Sequence, residues 1–363
     1  MRVSSFVGPP ELWTAFMKAA VFLGNRTLEL RDFPDPRPGF GEVLVAVRAS
    51  GLCGSDLHIY RDAPGKPATS GSCIMGHEPA GVIHAVGAGV SPDLAAVGQR
   101  VIVHHYAGCT YCDACRSGWP QMCTTAPARV FGIDDHGAHA PFMRVPIASL
   151  VPLDDRLTFE AGAAIGCGTG TAWGALDRLG DVGGATIAVF GQGPVGLSAT
   201  LLATARGARV VAIDPEPARR LQAERFGAIA TIDPMSVSAA AAVRELTDGP
   251  GVSLALETSG STAATADAIA ALAPWGKLCL VGLGGEVQFK VFDYLRSQMT
   301  LLTSWTMSVV QLRRCAEFIA RNNLPIGDLY SHRWRLDQIV DAYEEFDKQR
   351  AGKGVITFDG PST

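Results

Sequence analysis

The stretch from Thr186 to Gly196 constrains the fold of this chain more than any other. Its first residues, up to Phe190, are apolar or β-branched and predict a buried strand. Glycines then follow at G-x-G-x-x-G spacing, at Gly191, Gly193 and Gly196, where an apolar helix begins. These positions suit a tight turn, the approach of a pyrophosphate to the backbone, and close packing of the helix on the strand. The pattern predicts a nucleotide-binding turn, although a chain with 41 glycines can also match it by chance.

A second apolar run, over residues 208–213, ends on Asp214. An aspartate at the end of the second strand of such a unit accepts hydrogen bonds from the ribose hydroxyls of adenosine and repels a 2′-phosphate. Glu216 adds a second negative charge nearby. The sequence therefore predicts NAD rather than NADP as the cofactor. The alternative is that Asp214 only caps the helix that follows.

The composition excludes several classes of partner. The 363 residues carry a formal net charge of −4, with 47% hydrophobic and 18% charged residues, as in ordinary globular proteins. We expect no nucleic-acid or membrane partner, because the sequence has neither a long block of like charges nor an apolar run of about eighteen residues. Residues 1–16 contain Pro9 and Pro10 and fit neither a signal peptide nor an anchor. We expect a loose N-terminal extension there, a fold that starts at Met17, and a cytoplasmic protein.

Four of the nine cysteines crowd into one segment, Cys109-x₂-Cys112-x₂-Cys115-x₇-Cys123. Reduced thiols are expected in a chain of this size without an export signal. Four thiolates at this spacing can close a tetrahedral shell around Zn²⁺, which makes a structural site. One alternative is an iron–sulfur cluster, but the ferredoxin spacing differs. Another is a nucleic-acid-binding zinc module, but the segment has no basic aromatic stripe.

A second set of candidate ligands is spread along the chain. It comprises Cys53 in Cys53-Gly-Ser-Asp-Leu-His58, His77 in Gly76-His-Glu78, and Cys167 in Gly166-Cys-Gly168. Two thiolates and an imidazole can hold Zn²⁺ on three sides and leave a fourth position open, as a catalytic metal requires. Each residue also has a structural explanation, because buried cysteines commonly act as small hydrophobes and a single histidine is often a core residue.

Two types of sequence pattern divide the chain. Up to about Arg100 the sequence is rich in strands and turn signals, which suggests a barrel-like or sandwich domain. Strands and alanine-rich helices then alternate, with strands predicted near 186–190, 209–213, 228–232, 252–257, 277–281 and 299–303. Six such strands predict an α/β fold with a doubly wound parallel sheet. A helix over 309–322 and a strand-like tail over 353–358, which could return to the first domain, follow.

Taken together, these motifs resemble the zinc-dependent medium-chain alcohol, polyol and threonine dehydrogenases, over essentially all of residues 17–358. The resemblance implies a GroES-like, β-rich catalytic domain interrupted by a Rossmann domain with a six-stranded parallel sheet. The expected boundaries are a catalytic domain over 17–168 with a structural zinc lobe at 105–125, a Rossmann domain over 169–304, and a C-terminal part over 305–363 that returns to the catalytic domain.

The resemblance also implies roles for individual residues. Cys53, His77 and Cys167 would bind catalytic zinc with Glu78 beside it, and Asp56 would orient His77. Ser55 and His58 would form a proton relay. The implied NAD contacts are Thr171, Gly191, Gly193, Pro194, Val195, Gly196, Asp214, Arg219, Val281 and Leu283. One departure from the family is Gly54, where several alcohol dehydrogenases have a basic phosphate contact.

The implied activity is oxidation of an alcohol, with zinc lowering the pKa of the bound hydroxyl and hydride passing to NAD. We expect a small-molecule substrate, and His104, His105 and Tyr106 beside the expected cleft favour a polar secondary alcohol; the alternative is that they form an ordinary polar strand end. The run from Asp56 to Tyr60 resembles polyol and threonine dehydrogenases, whereas Cys167 is the ligand typical of alcohol dehydrogenases. The chain lacks the extra loop of dimeric animal enzymes, so a homotetramer is expected, with a homodimer as the alternative. A zinc-free quinone reductase and a non-catalytic NAD-binding zinc protein are the rival functions.

Overall fold

The computed structural model describes residues 15–348 and 352–359. The first strands are β1 (Phe16–Gly24), β2 (Thr27–Pro34), β3 (Glu42–Gly51), β4 (Glu78–Val86), β5 (Arg100–Val103), β6 (Tyr106–Ala107), β7 (Arg129–Val130), β8 (Phe142–Pro146) and β9 (Leu150–Pro152). They are followed by β10 (Thr186–Phe190), β11 (Arg209–Ile213), β12 (Ala230–Ile232), β13 (Val252–Glu257), β14 (Leu272–Leu280), β15 (Thr300–Thr303), β16 (Tyr330–Arg335) and β17 (Lys353–Thr357). Of the expected extension over residues 1–16, residues 1–14 lie outside the described residues, and β1 begins at Phe16, one residue before Met17.

The α-helices occupy the segments between strands and the ends of the domains. They are α1 (Gly54–Arg61), α2 (Asp113–Arg116), α3 (Phe159–Ala164), α4 (Gly170–Leu179), α5 (Pro194–Ala205), α6 (Pro217–Arg225), α7 (Ala239–Glu245), α8 (Thr262–Ala270), α9 (Val291–Tyr294), α10 (Val309–Asn322) and α11 (Ile339–Asp347). Helix α10 has the bounds that the sequence predicts, and within the described residues no helix is long and apolar enough to cross a membrane.

The strands β10 to β15 form one parallel sheet in the order β12-β11-β10-β13-β14-β15. Alternate residues of β10 pack into different cores. Ile187 and Val189 lie with α4, α5 and α10, whereas Ala188 and Phe190 lie with α7 and α8. Because successive side chains of a strand point to opposite faces, helices cover both sides of the sheet. The predicted doubly wound α/β fold is confirmed.

Two strand boundaries differ from the prediction by more than one residue. The third strand begins at Ala230 rather than residue 228, because Gly227 has a left-handed φ of +93° and Ile229 is exposed. The fifth begins at Leu272 rather than residue 277. Its pairing with β13 shifts register between Val252 and Leu254, and Trp275 has a φ of +65°, so the added segment is an irregular lead-in that carries little apolar periodicity.

A second sheet is built from the two ends of the chain. Its order is β16-β17-β3-β4-β5-β9, and β8 pairs with Glu42–Ala46 of β3, ahead of the segment of β3 that pairs with β17. The tail strand β17 is antiparallel to β3, with Val355 opposite Gly51. Strand β3 ends just before α1, and β4 begins just after His77, so neighbouring strands bring residues near 53 and 77 to the same place.

Candidate active site

The scattered candidate ligands converge at one buried point. Among the described residues, one ligand atom each from Cys53, His77, Glu78 and Cys167 lies within 4.8 Å of the others. The sulfurs of Cys53 and Cys167 are 4.0 Å apart, and Cys167 Sγ is 3.6 Å from His77 Nε2. Bonds of about 2.3 Å to tetrahedral Zn²⁺ place two sulfurs about 3.8 Å apart. The donor set and its spacing therefore fit a zinc ion.

Each ligand is positioned by a distinct local structure. Cys53 precedes the first turn of α1, and Cys167 lies in a π-helical turn, Ile165–Thr169, between α3 and α4. Such turns break helix regularity and are frequent at functional sites. Glycines around this turn permit close packing, since a Cβ on Gly170 would collide with Met307. The sequence signal for Cys167 was only its flanking glycines, and the π-turn was not predicted.

The imidazole of His77 is held from behind by Asp56. Asp56 Oδ1 lies 2.9 Å from His77 Nδ1, and Asp56 Oδ2 accepts a hydrogen bond of 2.9 Å from the backbone N–H of Cys53. Asp56 is 1% exposed, so these contacts are shielded from water. One carboxylate thus fixes two members of the cluster, and Nε2 of His77 faces the thiols.

The four cysteines of the lobe also form a compact group. Their sulfurs lie within 4.8 Å of one another, with distances of 3.9 Å for Cys109–Cys115 and for Cys112–Cys123. Backbone N–H groups lower the pKa of Cys112 to about 5 and that of Cys109 to about 7, whereas burial and the neighbouring thiols raise that of Cys115. All nine cysteines are free. Four thiols at this spacing fit a closed Zn²⁺ shell.

One cleft of about 940 Å³ joins the buried cluster to the glycine turn. Of the predicted site residues, those that line it are Cys53, Ser55, His58, His77, Glu78, Cys167, Thr171, Gly191, Gly193, Pro194, Val195, Asp214, Arg219, Val281 and Leu283. Asp56 lies behind His77, and Gly196 lies beneath the turn. One cleft thus reaches both the glycine turn and the cysteine–histidine cluster, so a ligand that fills it contacts both.

The three glycines of the turn have different surroundings. Gly191 has a φ of +84°, which a residue with a side chain rarely adopts. A Cβ on Gly193 would meet nothing within 4 Å, so its backbone is open to the cleft. A Cβ on Gly196 would collide with the carbonyl of Gly191, so this glycine lets α5 pack against the turn itself.

Asp214 closes the far end of the cleft. It follows β11 and is 2% exposed. Its Oδ2 accepts a hydrogen bond of 2.6 Å from the N–H of Gln192, and its Oδ1 accepts one of 2.8 Å from the N–H of Glu216. Arg219 lies 3.9 Å from the same carboxylate. Each oxygen keeps a further lone pair, so Asp214 can also accept from a ligand hydroxyl.

Comparison with known proteins agrees with this geometry. Residues 39–155 match the family model of the alcohol dehydrogenase GroES-like domain, and residues 194–321 match that of the zinc-binding dehydrogenases. The chain is 37% identical to an uncharacterised zinc-type alcohol dehydrogenase-like protein of Escherichia coli K12, over 94% of this chain and 99% of that protein. This chain belongs to the zinc-dependent medium-chain dehydrogenase family.

Other relatives of this dehydrogenase differ in substrate. It is 33% identical to sorbitol dehydrogenase of Bacillus subtilis, over 90% of this chain and 93% of that protein. The structure of an alcohol dehydrogenase from Thermus sp. ATN1 has a TM-score of 0.86 and 29% identity, covering 94% of this chain and 99% of that one. A zinc-binding dehydrogenase from Sinorhizobium meliloti 1021, bound to NADP, has a TM-score of 0.86 and 26% identity, with coverage of 95% and 100%. The chain is therefore a zinc-type alcohol or polyol dehydrogenase by family.

The polar run before the cysteine lobe lies only partly at the cleft of the dehydrogenase. His105 and Tyr106 line the cleft, and the His105 ring lies 5.2 Å from that of His77. His104 does not: it is fully buried, and its Nε2 lies 3.0 Å from the carbonyl oxygen of Met307. The expectation that all three residues border the substrate was wrong for His104, because its ring packs against the segment of Met307 rather than into the cleft.

The sequence analysis missed Lys353, which lines the cleft of the dehydrogenase. Lys353, in β17, is 2% exposed, and its Nζ lies 2.5 Å from Glu78 Oε2 and 3.1 Å from the carbonyl oxygen of Leu52. Burial raises the pKa of Glu78 to about 7, against the opposing effect of Lys353. The sequence around Lys353 does not indicate a role at the cleft, because its partners lie far away in the chain; Leu52, for example, is 301 residues earlier.

The predicted relay residues of the dehydrogenase lie on one helix. Ser55 and His58 are both in α1; Ser55 Oγ is 3.4 Å from His77 Nε2, and His58 is exposed at the cleft. The structure thus places one hydroxyl beside the cluster and one imidazole at the solvent side. Gly54 also lines the cleft, and no heavy atom would lie within 4 Å of a Cβ there.

Proposed function

We propose that this enzyme oxidises a polar secondary alcohol, including polyols, to the carbonyl compound and transfers the hydride to NAD. The observation that carries the proposal is the single cleft of about 940 Å³ that connects the Cys53, His77 and Cys167 cluster with Asp214. A nicotinamide dinucleotide bound at the glycine turn can extend along this cleft toward the cluster. An alcohol at the cluster and the nicotinamide would then meet.

The residues of the cluster would hold Zn²⁺, which when bound lowers the pKa of an alcohol hydroxyl. Ser55, beside His77, would accept the hydroxyl proton, and exposed His58 would release it to solvent. Asp56 holds His77 and the backbone of Cys53 in place. Asp214 would accept hydrogen bonds from the adenosine ribose, and Thr171, Val281 and Leu283 would lie along the nicotinamide end.

A substrate panel tests the proposal. Absorbance at the NADH band would be followed with NAD and a series of primary and secondary alcohols, diols, polyols and threonine. We expect the highest kcat/KM for a secondary alcohol or polyol. Turnover of threonine alone would identify a threonine dehydrogenase. Binding of NADH without turnover of any member would contradict the proposal and favour a non-catalytic NAD-binding zinc protein.

We also propose two zinc ions per chain, one in the cleft and one in the lobe. Support comes from the two separate ligand groups, each with sulfur pairs near the spacing of a tetrahedral shell. Metal analysis of protein purified without chelators should find two equivalents. A value of one or none would contradict this division.

A homotetramer is proposed for the assembly. The edge strand β15 of the Rossmann sheet has one neighbour, β14, within the described chain, and exposed apolar side chains of Val291, Phe292 and Leu295 lie in the preceding segment. Open edges and apolar patches of this kind favour association. Light scattering at micromolar concentration should give four times the monomer mass of 38.1 kDa. A monomer mass would exclude it, and a dimer would support the alternative.

A further inference from the structure

A continuous series of buried polar side chains extends from His77 away from the cleft. Beyond Asp56, Tyr343 donates a hydrogen bond of 3.3 Å to Asp56 Oδ2, and its hydroxyl lies 2.8 Å from His139 Nε2. His139 Nδ1 lies 2.9 Å from Ser50 Oγ. All of these residues are at most 4% exposed. We call Ser50, His139, Tyr343 and Asp56 the buried wire.

The wire has a single consistent direction of hydrogen bonding. An ionised carboxylate only accepts hydrogen bonds, so the Tyr343 hydroxyl donates its hydrogen bond to Asp56. The Tyr343 oxygen must then accept from the Nε2–H of His139. A neutral His139 has one N–H, so its Nδ1 accepts from the Ser50 hydroxyl. Burial lowers the pKa of His139 to about 4, which agrees with a neutral ring.

The wire ends at the proposed metal ligand. Asp56 Oδ1 lies 2.9 Å from His77 Nδ1, and the opposite ring nitrogen, Nε2, faces the cluster with Cys167 Sγ 3.6 Å away. The other carboxylate oxygen accepts from the backbone of Cys53 and from Tyr343. Displacement of Asp56 would therefore disturb two ligands together.

Packing leaves the wire little freedom to rearrange. Tyr343 lies in α11, and its ring makes an edge-on contact with Phe22, with centroids 5.0 Å apart. Gly76, with a φ of +93°, has no side chain where a Cβ would collide with the His139 ring. The backbone N–H of His139 donates to the carbonyl of Met75, two residues before His77. Segments from three parts of the chain thus fix the ring beside the metal ligand.

We propose that Tyr343 and His139 are positioning residues for the cleft zinc, acting through Asp56 to hold His77 and Cys53 in ligating geometry. This inference rests on the proposed catalytic zinc. Hydrogen-bond partners outside the ligands commonly change metal affinity about 10- to 100-fold. Loss of the Tyr343 hydroxyl should change the metal affinity by about 10-fold, the lower end of this range, because Asp56 lies between Tyr343 and the ligand His77.

The test is chelator-driven zinc release from the full-length enzyme, followed with a coloured chelator. Two phases are expected, and Cys112→Ser identifies the lobe phase. Tyr343→Phe should accelerate the cleft phase by about 10-fold, leave the lobe phase unchanged, and lower kcat/KM. In the double variant Asp56→Asn/Tyr343→Phe the cleft phase should be no faster than in Asp56→Asn alone, because both changes interrupt the same path.

Tyr60→Phe is the matched control. The Tyr60 ring lies 5.5 Å from that of Tyr343 in the same aromatic cluster. Among the described residues no hydrogen bond joins the Tyr60 hydroxyl to the wire. This control should release both zinc ions at the wild-type rates. If Tyr343→Phe does not fold, Ser50→Ala is the second variant, and a smaller acceleration of the cleft phase is expected.

The outcomes separate the inference from the proposed function. Equal acceleration of both phases, additivity with Asp56→Asn, or wild-type release from Tyr343→Phe would each overturn the positioning role while leaving a two-zinc dehydrogenase intact. A wild-type enzyme that binds zinc only in the lobe would overturn the catalytic zinc and, with it, the inference.

Discussion

The two thiol clusters differ in how the chain assembles them. The lobe takes its four ligands from residues 109–123, and its cysteines are only partly buried. The cleft cluster draws Cys53 and Cys167 from positions 114 residues apart, together with His77, which is 4% exposed. A local cluster can form wherever its own loop closes around metal. A cluster built from distant segments forms only when the whole chain has folded. The segments that bring its residues together can therefore also form the walls of a cleft beside it.

The largest expected effect is on turnover through the cleft cluster. His77→Ala removes a ligand and should lower kcat/KM by on the order of 10³-fold or more, since metal stabilisation of developing charge contributes several kcal/mol. Circular dichroism should show an intact fold. His84→Ala is the control, because His84 is an exposed histidine on β4, the strand that follows His77. Full activity of His77→Ala would show that the cluster is not catalytic.

The next effect concerns the other end of the same cleft. In the proposed function, Asp214→Ala would remove both the ribose acceptor and the charge that opposes a 2′-phosphate. We expect wild-type enzyme to prefer NAD over NADP by about 100-fold in kcat/KM, roughly 3 kcal/mol, and the variant to lose most of this preference. Steady-state kinetics with both cofactors measures it.

Asp233→Ala is the control for the cofactor test. Asp233 follows the neighbouring strand β12, pairs with Arg220 at 3.4 Å, and is absent from the cleft lining. Equal use of NADP and NAD by the wild-type enzyme would mean that Asp214 does not face the ribose.

The contrast between a local and a long-range cluster also explains which features could be predicted from the sequence and which could not. Spacing alone identified the cysteine lobe, the glycine turn and the six-stranded sheet, because each depends on residues close together in the chain or on a regular period. The partners of Asp56 and Glu78 could not be predicted: Tyr343 and Lys353 reach them from the C-terminal part, 287 residues from Asp56 in the case of Tyr343. His104 was misplaced for a related reason, since the packing of Met307 decides which side of its segment faces the cleft.

The smallest effect on turnover is expected in the lobe. Cys112→Ser would break the proposed closed zinc shell and should mainly lower the stability of the protein, because structural zinc contributes to folding. The lobe also holds its neighbours: Gln121 donates to the carbonyl of Met307 at 2.8 Å, beside the first turn of α10.

We expect a fall in Tm of at least about 5 °C, with kcat/KM at 25 °C within about threefold of wild type. Cys73→Ser is the control for the same chemical change, since Cys73 lies outside both clusters. Differential scanning calorimetry and steady-state kinetics on the same samples separate an effect on stability from an effect on catalysis. If Cys112→Ser instead lost activity as completely as His77→Ala at a temperature where it remains folded, the lobe would take part in catalysis and the division between a structural and a catalytic cluster would be wrong.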